Sequence, residues 1–171
     1  CWGIMSNYVA IYGQERLGIT DGTGIFFMLL SAGLMVSRIF GTKALRDGKL
    51  TENCARGVLI SLAGYTMFAL GIGPIGYYGA ALLIGLGNGQ MYPAFLSMFI
   101  NVARHDQRGT ANSSILISWD LGMGIGILLG GFLVQYMSYD AAFWATAIMQ
   151  GTGAVLFLTL TRNFFLRRRL Q

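Results

Sequence analysis

The sequence predicts an all-α fold, a polytopic transmembrane helix bundle, and three observations carry that prediction. Hydrophobic residues make up 54% of the 171 positions and charged residues only 11%, whereas soluble domains carry about 25% charge. The apolar residues fall in runs near the roughly 20 residues that a helix needs to cross a bilayer. Glycine occurs 25 times, roughly twice its usual share, as suits helices that pack backbone to backbone in lipid. A soluble chain of this composition could not cover its core with polar surface. Lipid as the outer solvent removes that demand.

Taken in order, the first apolar stretch runs from Cys1 to about Gln14 and is too short for a complete span. No Met, basic segment or cleavage site precedes it, so residue 1 is read as a cut within a longer polypeptide. Five full spans follow, at roughly 23–42, 54–72, 77–101, 110–136 and 141–162, and residues 163–171 form a tail. The breaks between them carry turn chemistry or charge. They are Asp47-Gly48-Lys49, Gly71 to Gly76 around Pro74, His105 to Gly109, and Ser138-Tyr139-Asp140. The runs do not alternate and are twice as long as membrane-barrel strands, which are about ten residues.

Charge sets the orientation. Counting the breaks alternately, one side holds Arg38, Lys43, Arg46, Lys49, Arg56, Arg104, Arg108, Arg162, Arg167, Arg168 and Arg169, eleven of the twelve basic residues. The other side holds Arg16 alone. The positive-inside rule places the first set, and the tail, in the cytoplasm. Because the cations cluster at membrane borders rather than on one solvated face, the net charge of +5 does not indicate nucleic-acid binding.

Few groups in the chain suggest chemistry. Cys1 and Cys54 lie far apart without metal or disulfide spacing, and the lone His105 sits in a charged loop. There is no HExxH, no close carboxylate pair, and no nucleophile with a histidine beside it, so neither an enzyme nor a metal or cofactor site is expected. Gly85, Gly87 and Gly89 lie inside an apolar helix rather than after a strand, which argues against a nucleotide loop. Gly122, Gly126 and Gly130, at i, i+4 and i+8, form a small-residue stripe against which another helix packs closely.

Asp120 stands apart. The other six acids lie at helix ends or in breaks, and Asp120 alone lies within a span. At 1.5 Å per residue it sits about 15 Å from the cytoplasmic end of its helix, on a face turned away from the glycine stripe. A carboxylate at that depth costs about 3 kcal/mol or more unless paired, hydrated or protonated. A structural hydrogen bond to a neighbouring helix and a role in proton coupling or substrate binding both fit. Asn88, Gln90 and Tyr92 form a second polar group near the middle of their span, with Pro93 beside them as a loosening or kinking residue. Asn7, Tyr8 and Tyr12 give the short first span a polar edge, and Trp119 adjoins Asp120. These residues serve either as interhelical hydrogen bonds or as the lining of a polar midplane cavity, where transporters place their sites.

Three stretches resemble the major facilitator superfamily of secondary transporters, and the likeness covers essentially the whole chain as that family's helices seven to twelve. Gly18 to Phe27 resembles the start of helix eight. Arg38 and Gly41 through Arg46, Asp47, Gly48 and Lys49 resemble the second copy of the family's cytoplasmic loop motif, with Arg46 before Asp47 where the reverse order is usual. Arg108 to Asn112, continuing through Asp120 to Gly126, is similar to helix eleven of drug-efflux members. The resemblance implies half of a twelve-helix transporter in a bacterial inner membrane. Its partners would be the lipid bilayer, a small-molecule substrate, protons and the N-terminal half of the same polypeptide. Spans one, two, four and five would line the cavity, and spans three and six would face lipid. Alternating access with proton-coupled efflux is the function implied. A sugar or metabolite symporter, and a non-transporting scaffold or sensor, are the alternatives.

Overall fold

The computed structural model describes residues 1–19, 22–103 and 105–168. Thr20 and Asp21 of the helix-eight stretch, Arg104, and Arg169 in the tail lie outside the described residues, as do the side chains of Lys43, His105, Arg167 and Arg168. Six long helices follow one another: α1 (Trp2–Leu17), α2 (Gly22–Arg46), α3 (Leu50–Ala69), α4 (Gly73–Val102), α5 (Arg108–Tyr136) and α6 (Tyr139–Leu156). A 3-10 turn at His105–Gln107 precedes α5. After α6 a π-turn at Phe157–Thr161 leads into the short α7 (Arg162–Arg168). Among the described residues there is no strand.

The helix ends follow local chemistry. Gly48, at φ 71°, reverses the chain between α2 and α3, and Gly71 and Gly73, at φ 61° and 58°, do so between α3 and α4. Side chains with a Cβ rarely adopt this left-handed region, so glycine is needed at these corners. Ser138 caps α6, its hydroxyl oxygen accepting from the Ala141 backbone N–H at 3.1 Å. Pro93 lies inside α4, which runs on past it without a break.

Helix α4 is the centre of the bundle, packed between α2 and α3. Its glycines alternate in direction, because residues two apart on a helix point about 200° apart. A Cβ at Gly85 would meet the Leu30 carbonyl of α2, and one at Gly89 would meet Ser37 and Leu34 of α2. A Cβ at Gly87 would meet the Ser61 backbone of α3 instead. The approach is mutual, since a Cβ at Gly57 of α3 would stand 2.7 Å from the Gly87 carbonyl oxygen, and one at Gly33 of α2 would stand 2.6 Å from that of Leu82. Without a hydrophobic force between helices in lipid, such close van der Waals contact is what holds them together.

At one end of the bundle Tyr12, Phe26, Phe68, Tyr77 and Phe143 form an aromatic core. Tyr12 packs edge-on against Phe143 at 5.0 Å and the Phe143 ring meets Phe68 at 4.6 Å. The outer surface is apolar: Met28, Met35, Ile39, Leu128, Ile148 and Leu160 are all exposed. Three helical stretches have the length and apolar content to cross a membrane, Gly22–Thr42, Arg108–Tyr136 and Tyr139–Phe165. Helix α1, at 16 residues, is shorter than a bilayer needs, while α3 and α4 carry the polar side chains described next.

Candidate cavity between four helices

The buried polar group at the heart of the bundle is Asn88, at the middle of α4 and only 9% exposed. Gly87 lets α3 approach closely, and this brings the Ser61 hydroxyl to donate to Asn88 Oδ1 at 3.1 Å. Tyr65, one turn along α3, also engages the Asn88 side chain. Satisfying Asn88 from α3 offsets the cost of burying an amide, which would otherwise be about 1–3 kcal/mol.

The opposite side of Asn88 opens on a cavity of about 330 Å³. Trp2 of α1, Arg38 of α2, Asn88 and Tyr92 of α4, and Leu116 and Trp119 of α5 line it. Tyr92 and Trp119 meet edge to face, with ring centroids 5.3 Å apart, a preferred geometry for aromatic pairs. Pro93, also in this wall, has no N–H, so the Gly89 carbonyl cannot accept its usual helical bond from that position. A neighbouring cavity of about 280 Å³ shares Asn88 and Trp119 and adds Tyr65 of α3 and Gln150 of α6. On the other flank of Trp119, a more apolar cavity of about 320 Å³ runs between Phe95, Leu96 and Ser118. The combined space offers aromatic faces, two amides (Asn88 and Gln150) and one guanidinium, which suits a small organic molecule with some polar character.

The other residues singled out by sequence are distributed more widely. Gln90, two residues from Asn88, turns to the far side of α4, towards Asn53 and Arg56. Tyr12 sits in the aromatic core, 7% exposed. The Tyr8 hydroxyl donates to the Ile127 carbonyl of α5 at 3.2 Å, and Asn7 donates within α1 to the Gly3 carbonyl at 3.0 Å. Asp120 is exposed on α5 beside Trp119, and the cavities described above do not include it.

In the glycine stripe, Gly126 and Gly130 are buried against α1. A Cβ at Gly126 would lie 3.6 Å from the Gly3 Cα, and one at Gly130 only 2.7 Å from the Tyr8 ring. At Gly122 nothing lies within 4 Å.

In the loop stretch, Arg46, Asp47 and Lys49 are exposed and Gly41 is buried against α3. Arg38 is the exception, because it lies four residues inside the membrane-crossing part of α2 and reaches the cavity. Sequence reasoning counted it as a border cation. Its distance from the end of its helix was the signal that it belonged with Asn88 and Trp119. Gly85, Gly87 and Gly89 point in alternating directions and hold α4 between its neighbours.

Comparison with known proteins adds an independent line. The family model described as Major Facilitator Superfamily matches residues 47–168. The chain is similar to "Multidrug resistance protein MdtH" of Yersinia enterocolitica, 29% identical over 140 residues, covering 82% of this chain and 29% of that protein. It is equally similar to the protein of the same name from Escherichia coli O1:K1, 29% identical over 143 residues, covering 84% of this chain and 30% of that one. "Probable efflux pump mfs2" of Aspergillus flavus is 33% identical over 95 residues, covering 54% of this chain and 22% of that protein. The chain therefore spans less than a third of the length of these curated relatives. No solved structure matches it significantly.

Proposed function

The chain belongs to the major facilitator superfamily, and from that premise we propose that it forms the C-terminal six-helix half of a secondary active transporter. It is an integral membrane protein, as its apolar outer surface and membrane-length helices require. The observation that carries the transport reading is the cavity drawn from α1, α2, α4 and α5, with Asn88 buried at its wall and Trp119 across from it. These are the four spans that the family resemblance assigns to a substrate path, while most of α3 and α6 pack behind. Polar groups persist inside a bilayer where they line such a path.

In this reading the exposed face of α5, with Asp120, Gly122 and Gly124, meets the N-terminal half. The two halves rock about the shared cavity to open it to alternate sides. Asp120, the acid within a span, carries the coupling proton. The relatives' printed names favour efflux of a small, partly apolar molecule. The bacterial relatives favour an inner membrane, and the split of basic residues favours a cytoplasmic C-terminus. The substrate is moved and not transformed.

The test is flux in proteoliposomes holding the protein as its gene encodes it, across a panel of small aromatic cations, anions and zwitterions, with and without an imposed pH gradient. At least one compound should move faster than in empty vesicles, and uphill only when the gradient is present. A panel that leaks at the empty-vesicle rate would point to the scaffold or sensor alternative.

A further inference from the structure

A second cavity lies on the side of α4 away from Asn88. It measures about 390 Å³ and is lined by Phe40 of α2, by Asn53, Arg56, Leu59 and Ile60 of α3, and by Gln90 of α4. One of its polar groups is buried without a partner. The Asn53 side chain is 4% exposed and its Nδ2 is buried without a hydrogen-bond acceptor. Arg56 is exposed at the mouth of this cavity, with Glu52 one turn away on the same helix.

Gly41 of α2 packs beside the Asn53 and Gln90 amides. A Cβ there would stand 3.5 Å from Asn53 Nδ2 and 3.8 Å from the Gln90 side chain. A buried donor with no acceptor costs about 1–3 kcal/mol, so the orphaned Asn53 amide, beside the half-buried Gln90 and the exposed Arg56 guanidinium in a lining with no acid, suits an anionic acceptor. The rim is apolar, with Phe40 71% and Leu59 50% exposed. Its α2 and α3 walls lie in the last two turns of α2 and the first three of α3, near where those helices leave the hydrocarbon for the headgroup layer, and Gln90, nearer the middle of α4, closes its deep end.

We propose that Arg56, Asn53 and Gln90 form a binding site for a phosphate oxyanion, with the headgroup of an anionic phospholipid in the cavity and its acyl chains along Phe40, Leu59 and Ile60. The site is separate from the transport cavity and does not depend on the transport reading. It adjoins the turn carrying Arg46 to Lys49, so an occupied site braces α2 against α3 where that turn leaves the membrane. Free inorganic phosphate is the other source of the same chemistry.

Native mass spectrometry of the purified full chain, titrated with phosphatidylglycerol and with phosphatidylcholine, tests the lipid. Thermal unfolding with inorganic phosphate alone tests the free anion. Wild type should retain one phosphatidylglycerol in preference to phosphatidylcholine. Arg56→Gln should weaken that retention about tenfold, the usual effect of losing a charge-assisted bond. Arg56→Lys should lose less, and Asn53→Leu should weaken binding with the charge intact. Stabilisation of wild type but not Arg56→Gln by phosphate, without a lipid preference, would assign the site to the free anion. The proposal is overturned if wild type shows neither a phosphatidylglycerol preference nor a response to phosphate, a result that needs no variant to fold. Equal responses from wild type and Arg56→Gln would overturn it as well.

Discussion

Single residues in this chain take their roles from direction more than from type. Asn88 and Tyr92, four apart, share a face of α4, and both reach the same cavity. Gln90, two apart from each, is turned to the opposite side. Spacing alone makes that separation readable. Tyr12 is different. Its partners Phe68, Tyr139 and Phe143 lie more than 50 positions along the chain, and no local pattern marks it as core rather than cavity. The glycines give the residue-scale prediction. Gly87→Leu drives a side chain into the Ser61 backbone, and backbone cannot step aside as a flexible side chain can. Thermal denaturation in detergent should show a loss of about 1–3 kcal/mol or more. Gly153→Leu enters open space on the exposed side of α6 and should leave stability within about 0.5 kcal/mol. If the two variants denature alike, the close packing of α4 on α3 is wrong.

The helices themselves were legible in the sequence because a membrane span is a matter of length and apolar content. The expected spans at 23–42 and 110–136 fall within α2 and α5 (Gly22–Arg46 and Arg108–Tyr136), and Gly48 and Gly71 mark turns where the sequence has its breaks. The helix bounds do not coincide with the apolar runs, and α3, expected at 54–72, is shifted towards the N-terminus and ends at Ala69. Helix α3 starts at Leu50, before the hydrophobic stretch, because Thr51, Glu52 and Asn53 supply a polar first turn that hydropathy does not register. Which helices touch was not legible, since contact between spans depends on small residues whose directions must be matched pairwise. Gly85 and Gly89 on one side and Gly87 on the other place α4 between α2 and α3. The stripe noticed first, on α5, seats only Gly126 and Gly130 against α1.

At the scale of the whole molecule the bundle has a crowded core around α4 and a thinly covered α5, whose long surface is mostly exposed. An exposed face bearing Asp120 between apolar residues suits neither lipid nor an ordinary core, and the N-terminal half proposed above, with a hydrated seam, would cover it. The orientation proposed for the bundle has its own check. With single cysteines introduced at Lys49, in the turn before α3, and at Asp140, in the first turn of α6, both exposed, a membrane-impermeant thiol reagent applied to intact cells should label the second and not the first. Labelling at Lys49 from outside would invert the topology. The claim that joins residue, helix and bundle is that Asp120 couples proton movement to transport through this cavity. Asp120→Asn keeps the side-chain size and removes the carboxyl group, and in vesicles it should abolish uphill, pH-driven substrate movement while leaving counterflow exchange largely intact. Uphill movement by Asp120→Asn at the wild-type rate would contradict the account.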